Sequence, residues 1–184
     1  MIEATQGKLE EAQFFYQHLV RERRPKTLMW DPKAFRFYFS AFIQAASSVV
    51  WVLHKEEKDK WEAWKPGWEQ KLTTEELRLM KLTRELRNLE VKERGANPVV
   101  EWEEVPIYEL LTGIDIDLER QHPAYGLHVF APPGTPSPKT RRPAYYFEHE
   151  DGKEEVTALC ARYLVFLEKM VNDFCAASHP ASPT

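Results

Sequence analysis

The sequence lacks several features that would point to a specialised class of protein. It has only two cysteines, Cys160 and Cys175, which excludes a disulfide-rich extracellular scaffold. If both lie on one continuous helix, the rise of 1.5 Å per residue separates them by roughly 22 Å, whereas a disulfide needs Cα atoms within about 7 Å. We therefore expect two free thiols and a cytoplasmic location.

Signals for export, membrane insertion and common cofactors are also missing or weak. Residues 1–11 contain no apolar core, so they do not resemble a signal peptide. Residues 37–54 carry no charged side chain and just reach spanning length, but three serines and a glutamine favour a buried helix over a membrane span. No P-loop, GxGxxG, HExxH or paired CxxC motif occurs, so the sequence predicts no cofactor.

Charge of one sign does not dominate the chain, but its distribution is uneven. The formal net charge of -4 gives no general attraction to nucleic acid or to an anionic membrane. Residues 78–94 carry six basic and three acidic side chains, whereas residues 101–119 carry seven acidic side chains and no Lys or Arg. Either both segments are solvated faces of opposite charge that attract each other, or the basic segment is an anion-binding helix that the acidic segment flanks.

Hydrophobic periodicity, by contrast, is strong and predicts a helical protein. A first helix is predicted over residues 5–23. A second begins at Asp31-Pro32, a cap followed by a first-turn proline, and runs to about residue 56. Two apolar stripes along the second helix, one of them made of small residues, predict that it is the central and most buried helix.

The next two helical segments have clear local markers. Residues 55–68 are charged but contain three tryptophans at intervals of three and four, which predicts a core stripe, with Pro66-Gly67 expected to break the segment. Thr73 and Glu76 form a capping box that opens a further helix, which ends near Gly95.

The helical period is lost between residues 98 and 151 and returns for a last helix over residues 153–176. Short strands are predicted at 99–102, 127–130 and 144–147, with a proline-rich loop at 132–138. The fold class is therefore mainly α: an antiparallel bundle of four to five helices with a small β-hairpin or sheet inserted before the last helix. Residues 1–184 form a single domain, in which 5–95 and 153–176 build the bundle, 98–151 the partly β insertion and 177–184 a flexible tail.

Two parts of the chain resemble the HEPN superfamily (higher eukaryotes and prokaryotes nucleotide-binding domains). One is the long second helix, residues 35–49. The other is Leu86, Arg87 and Asn88, followed by a helix end that terminates in glycine. The resemblance covers residues 5–95, with the last helix completing the bundle, and implies a homodimer. Many members are metal-independent ribonucleases, and others are inert antitoxin partners or binding modules.

The family motif is an Arg, a polar residue, three or more further residues and a His, and this chain departs from it at the last position. Lys92 stands where the His belongs. Histidine exchanges protons near pH 7 because its ordinary pKa is about 6.5, whereas that of lysine is about 10.4. The chain therefore keeps a candidate phosphate-binding set, Arg84, Arg87 and Lys92, without good catalysis. Arg87, Asn88 and Lys92 are the catalytic candidates if activity survives. The alternative is that Arg87 and Asn88 join a polar network with Glu90 or Glu93.

Two other groups of residues were considered as sites. Three histidines and two glutamates have no recognised metal-ligand spacing, so surface histidines and no metal are predicted: His122, His128, His149, Glu148 and Glu150. The basic residues Lys139, Arg141 and Arg142 lie among aromatics, a pattern that can hold single-stranded nucleic acid. Core packing with a partner surface is the favoured interpretation.

Three functions remain open at this point. The first is a HEPN-like homodimer without catalytic activity that binds a protein partner, a nucleotide or RNA, with a loose connection to prokaryotic toxin-antitoxin or phage-defence systems. The alternative is a divergent metal-independent ribonuclease that uses Arg87 and Asn88. The third is a stress or structural bundle that merely dimerises. Because Lys92 stands where the motif has a His, the binding protein without catalytic activity is favoured over the ribonuclease.

Overall fold

The computed structural model describes residues 2–23, 32–92, 98–106, 139–149 and 152–178. Within them the element order is α1 Glu3–Glu22, α2 Pro32–Glu56, α3 Lys58–Glu69, α4 Thr74–Lys92, β1 Val99–Pro106, β2 Lys139–His149, β3 Gly152–Glu155 and α5 Val156–Ser178. The prediction of a mainly α bundle with a small sheet before the last helix is confirmed. The predicted strand at 127–130 and the loop at 132–138 lie outside the described residues.

Two helices, α2 and α5, form the middle of the bundle, and each contacts every other helix. The prediction that α2 is the most buried helix is wrong, because α5 has eleven buried side chains and α2 has eight. The reason is that α5 also packs against β2 and β3, whereas α2 keeps one face in solvent. On that face Phe37 is 70% and Trp51 62% exposed.

Helix α1 runs antiparallel to α2, and the two are joined at their ends by a capping carboxylate. Glu56, the last residue of α2, accepts hydrogen bonds from the backbone N–H groups of Ala4 and Thr5 at 2.9 and 2.8 Å. These are orphan donors in the first turn of α1, where a negative charge also suits the helix dipole. Burial raises the pKa of Glu56, but the hydrogen bonds from Thr5 and Ala4 outweigh it, so the pKa is lowered.

Helix α3 carries the tryptophan stripe into the core, as predicted. Trp61 and Trp68 are buried, and Trp64 packs against the same cluster. The expected break at Pro66-Gly67 is wrong, because α3 continues through Pro66 to Glu69. Trp68 explains this result: its ring lies 5.7 Å from that of Phe166, and its indole N–H donates to Asp173 at 2.9 Å. These contacts hold the last turn in place despite the missing backbone donor.

The three strands form an antiparallel sheet in the order β1-β2-β3. The predicted strands at 99–102 and 144–147 lie inside β1 and β2, but β3 was not predicted, and α5 begins at Val156 instead of residue 153. Glu155 causes the difference. It pairs with Tyr146 in the sheet and accepts from the backbone N–H of Ala158 at 2.7 Å, so it caps α5. At its other end α5 extends to Ser178, into the predicted tail; residues 179–184 lie outside the described ones.

The acidic side chains of β1 pair with the neighbouring strands. Glu103 contacts Arg142 at 3.2 Å, Glu104 lies 3.7 Å from Lys139, and Glu101 contacts Lys153 in β3. The idea that the acidic segment lies against the basic helix α4 is therefore not supported by β1.

Both cysteines and the apolar helix fit the bundle. Cys160 is buried and Cys175 half-buried on α5, and both are free thiols, as predicted. Among the described helices, one, α2, is long and apolar enough to cross a membrane. Because it packs against all four other helices, its composition is that of a core helix.

Candidate anion-binding pocket

Helix α4 has a buried apolar face and an adjacent basic face. Leu79, Leu82 and Leu86 are buried. Arg84 and Arg87 are exposed and stand three residues apart, which places their side chains as neighbours on one side of the helix. The capping box at the start of α4 is confirmed, since Glu76 accepts from the Thr73 N–H at 2.8 Å and from its hydroxyl at 2.9 Å.

A cavity of about 180 Å³ opens where α2, α3, α4 and α5 meet, and both arginines line it. The remaining lining residues come from all four helices: Ser47, Val50, Trp61, Lys65, Trp68, Met80, Thr83, Tyr163, Phe166 and Met170. The pocket thus has three cationic side chains around a mainly apolar and aromatic wall.

The positive charge of this pocket is only partly neutralised. Lys65 pairs with Glu69 on its own helix at 3.4 Å. For Arg84 and Arg87, no carboxylate of the described residues lies within ion-pair distance, although the chain is acidic overall. Arg87 and Glu90 form no ion pair with each other, and Glu93, the other acid of the alternative network, lies outside the described residues. Within the described part of the chain, the two guanidinium groups are open to an anion.

Two hydroxyl groups lie deeper in the pocket. Thr83 and Tyr163 are 4% and 7% exposed, and the Thr83 hydroxyl donates to the Leu79 carbonyl oxygen at 2.8 Å. Burial raises the pKa of Tyr163, although the neighbouring Thr83 hydroxyl and the charges of Arg87 and Arg84 lower it in part. The Tyr163 hydroxyl therefore stays protonated at neutral pH, where it is a hydrogen-bonding group and a poor general base.

Not all of the predicted site residues reach this pocket. Arg84 and Arg87 do, whereas Asn88 is half-buried on α4 and does not line it. Lys92 is the last residue of α4, and its side chain lies outside the described part of the chain. Sequence reasoning missed Lys65, Thr83 and Tyr163. Only Thr83 gave a usable signal, because it is a polar residue among the leucines of a buried helical face.

The described members of the histidine group, Glu148 and His149, belong to no metal-ligating cluster of the described residues. His149 was predicted to be a surface residue, and this is wrong, because only 8% of its side chain is exposed, where it lies 3.9 Å from Glu154. Its ring also stacks near that of Phe147, with the ring centres 6.3 Å apart. The described residues contain no group of three or more metal-ligating side chains, while His122, His128 and Glu150 lie outside them.

Part of the basic and aromatic group of the sheet is used in packing, as the favoured interpretation expected, whereas Lys139 and Arg141 are 68% and 70% exposed. Tyr145 is buried and stacks on Phe35 of α2 with ring centres 3.5 Å apart. Arg142 lies beside Glu103, which also accepts from the Tyr146 hydroxyl at 2.7 Å and lies 3.6 Å from Arg23 of α1.

This cluster changes the ionisation of its members. The hydrogen bond to Glu103, together with burial and nearby acids, raises the pKa of Tyr146 to about 12. The pKa of Glu103 is lowered, mainly by the hydrogen bond from Tyr146 and by Arg142, although burial opposes the shift. These contacts tie the sheet to α1, so the cluster is a structural one.

Comparisons of the chain with protein-family models, with curated proteins and with solved structures found no match. Any statement about function must therefore come from the chemistry of the pocket and from the residues that carry the resemblance. Of those residues, Arg87 lines the pocket, and residues 35–49 lie within the central helix α2.

Proposed function

We propose that the chain is a HEPN-like binding protein without catalytic activity, which holds the phosphate group of a nucleotide or RNA in the pocket at Arg84 and Arg87. The observation that carries this proposal is the pair of guanidinium groups that line one cavity with no described carboxylate against them. In a chain with a net charge of -4, two cations beside a cavity that meet no carboxylate of the described residues favour an anionic ligand.

Phosphate is the anion that suits this arrangement. Each guanidinium presents a planar fork of N–H donors that matches two oxygens of a phosphate, and both side chains extend from neighbouring positions on α4. Lys65 adds a third positive charge from α3. A carboxylate could use only part of this donor set, because it has two oxygens.

The absence of catalysis follows from proton chemistry. Cleavage of RNA through its 2′-hydroxyl needs a group that exchanges a proton near pH 7. The family motif would supply a His, but the chain has Lys92 there. In the pocket itself the pKa of Tyr163 is raised by burial, so this hydroxyl does not replace the His.

The exposed face of α1 and α2 is the proposed homodimer surface. Phe37 and Trp51 are fourteen residues apart, close to four full turns, so they lie on one side of α2. Phe14 of α1 is 54% exposed and contacts His18, which stacks on Tyr38 of α2. Two adjacent helices about 30 Å long give a face of roughly 20 Å by 30 Å. That area is of the order of the ~800 Å² per partner that a stable dimer needs, so the proposed occupant is a second copy.

The cellular setting is part of the same proposal. Two free cysteines and a bundle without a disulfide suit the reducing cytoplasm. The HEPN resemblance connects such a protein to toxin-antitoxin and phage-defence systems, in which inert members act as antitoxin partners or binding modules.

Titration of the purified protein with inorganic phosphate and with a phosphate-terminated RNA, followed by calorimetry, tests the binding. Arg87→Ala should weaken binding of both by about tenfold or more, as expected for the loss of a charge-assisted hydrogen bond. Arg141→Ala is the matched control, because Arg141 is 70% exposed and lies on β2, away from the pocket. If Arg87→Ala and Arg141→Ala bind phosphate and the RNA with equal affinity, the proposal is refuted.

Catalysis is tested by incubation of the wild-type protein with mixed RNA. We expect no cleavage above that of a buffer blank. Cleavage that disappears in Arg87→Ala but persists in Arg141→Ala would establish the alternative, a divergent ribonuclease that uses Arg87 and Asn88.

A further inference from the structure

The outward faces of α1 and α2 each carry a stripe of residues that recurs every seven positions. All six members are exposed: Gly7, Phe14 and Arg21 form the α1 stripe, and Phe37, Gln44 and Trp51 form the α2 stripe. Seven residues are close to two helical turns, with a drift of only about 20°, so each stripe stays on one side of its helix. Both stripes are therefore open to a partner.

Contacts between α1 and α2 determine which members of the two stripes lie at the same height along the helices. The ring centres of Tyr16 and Phe42 are 6.4 Å apart, so these two residues are nearly level. The helices run antiparallel, so two positions further along, counted in opposite directions, Phe14 is level with Gln44. Because both stripes repeat every seven residues, their members form three levels: Gly7 with Trp51, Phe14 with Gln44, and Arg21 with Phe37.

Bulk alternates in opposite order along the two stripes. The α1 stripe is small at Gly7 and large at Phe14. The α2 stripe is large at Trp51 and less bulky at Gln44, which has a serine one turn before it and another one turn after it. A Cβ atom on Gly7 would meet no described atom within 4 Å, so there is room above it for a large side chain. Laid on the α2 stripe of a second copy, the α1 stripe therefore offers a small residue to each large one at these two levels.

The charges of the two helices complement each other in the same arrangement. Arg21 is level with Phe37, where a guanidinium group can lie over an aromatic ring. One turn beyond the other end of the stripes, Glu3 is level with Lys55, and both side chains are exposed. If α2 instead packed antiparallel on α2 of a second copy, centred on the middle of its stripe, Lys33 would face the partner's Lys55. That alternative brings like charges together and is disfavoured.

We infer that two copies of the chain associate about a two-fold axis parallel to α1 and α2, with the α1 stripe of each copy on the α2 stripe of the other. Such an axis leaves the height of every residue unchanged, so Gly7 faces the partner's Trp51 and Phe14 faces the partner's Gln44. The four helices form a bundle in which each helix runs antiparallel to both of its neighbours. This inference rests on the homodimer of the proposed function and adds the pairing of residues inside its interface.

An exchange of size between Gly7 and Trp51 tests this pairing by sedimentation of the full chain. Gly7→Leu should raise the dissociation constant of the dimer by about tenfold or more, because the leucine side chain occupies the space of the partner's Trp51. The fold of each copy should be retained, because leucine has a higher helix propensity than glycine and the new side chain meets open space. In a Trp51→Ala background, the same change should cause no further loss of affinity.

The matched control is the exposed glycine of α3. A Cβ atom on Gly67 would likewise meet nothing within 4 Å, so Gly67→Leu adds the same side chain on a different helix. It should leave the dissociation constant of the dimer unchanged, and circular dichroism should show a helical fold for both leucine variants.

Cysteine cross-linking distinguishes the two arrangements of the helices. Under mild oxidation, a mixture of Phe14→Cys and Gln44→Cys chains should form a covalent dimer. Either variant alone should form no more than the wild-type chain, which carries Cys160 and Cys175. Packing of α2 on α2 predicts the opposite result, in which Gln44→Cys cross-links to itself.

The outcomes separate this inference from the proposed homodimer. If the wild-type chain is a monomer at micromolar concentration, both fail. If it is a dimer whose dissociation constant Gly7→Leu leaves unchanged, the inference is overturned and the dimer stands. The same conclusion follows if the mixed cysteine variants do not cross-link, or if Gln44→Cys cross-links to itself as readily as to Phe14→Cys.

Discussion

Glu76 joins the start of α4 to α5, and its removal should measurably loosen the helix that carries Arg84 and Arg87. One carboxylate oxygen accepts hydrogen bonds from the backbone N–H and the hydroxyl group of Thr73, and the other contacts the ammonium group of Lys169. These contacts, first that of Lys169 and then those of Thr73, lower the pKa of Glu76 to about 2, against burial, which opposes the shift.

The two kinds of contact predict different losses for two substitutions. The pKa shift from 4.5 to about 2 would correspond to ~3.4 kcal/mol at most, at 1.36 kcal/mol per unit. Lys169 is 48% exposed, so solvent screening reduces this figure to about 2 kcal/mol. Glu76→Gln resembles the neutral carboxyl group and keeps a capping oxygen, so it should lower the free energy of unfolding by this amount, about 2 kcal/mol. Glu76→Ala also removes the cap and should lower it by about 3 kcal/mol.

The effect should depend on pH in a defined direction. The pKa of Glu76 is lower in the folded protein, so its contribution is complete above the unfolded value of 4.5 and is lost as the pH falls through about 2. Urea unfolding at pH 7 and pH 3.5 should therefore show a smaller difference between wild type and Glu76→Gln at the lower pH, at roughly six-tenths of its value at pH 7.

A neighbouring glutamate supplies the control for this experiment. Glu75 lies in the same first turn, but its side chain is 58% exposed and its nearest ion-pair contact is 3.5 Å, so Glu75→Gln should change stability by less than about 0.5 kcal/mol. Equal losses for Glu75→Gln and Glu76→Gln, or a Glu76 effect that does not change between pH 7 and pH 3.5, would refute the reasoning.

Three further predictions concern packing, ionisation and assembly. Trp68→Ala removes a buried indole and its bond to Asp173 and should cost about 3–5 kcal/mol in chemical denaturation. Glu103→Ala should lower the pKa of Tyr146 from about 12 towards 10, which an ultraviolet pH titration detects. Phe37→Ser should shift the mass of the sedimenting species from about twice 21.6 kDa towards 21.6 kDa. Val165→Ser, on another exposed face, should leave this mass unchanged. A wild-type chain that sediments as a monomer at micromolar concentration contradicts the dimer.

Elements that are encoded locally could be predicted from the sequence. The start of α2 and the capping box of α4 depend on residues within one turn of each helix start. The structure has both at the positions that the sequence predicted. The tryptophan stripe of α3 predicted its buried face because side chains three and four residues apart share one side of a helix. None of this information depends on distant parts of the chain.

The predictions that were wrong concern segments in which a contact with a distant part of the chain decides between two conformations that the local sequence allows. Residues 153–155 are compatible with an acidic first turn of a helix, but they pair with β2, and Glu155 becomes the cap of α5. Pro66 would end an isolated helix, yet the contacts of Trp68 with α5 maintain the last turn. In both cases tertiary packing outweighs a local preference, and the local sequence pattern does not indicate which distant residues make the contact.

The pocket was predicted in part for the same reason. The spacing of Arg84 and Arg87 on a helix is local information, so a paired basic site could be expected. Lys65 and Tyr163 belong to other helices, and the periodicity of α5 assigns Tyr163 to the core, which is correct for its ring but does not reveal that it lines a cavity. Which helices meet around α4 is a property of the whole bundle.

Ser47 illustrates how the small residues of α2 relate to this cavity. Ser47 lines the pocket, and its hydroxyl donates to the Gln44 carbonyl at 3.1 Å. A sealed dry cavity of 180 Å³ would cost about 4 kcal/mol at ~24 cal/mol per Å³, and an open, partly polar one costs less. A bundle selected only for stability would fill this space. Ser47→Leu should therefore raise the free energy of unfolding by about 1 kcal/mol and abolish phosphate binding, whereas a variant that is more stable and still binds would show that the ligand site lies elsewhere.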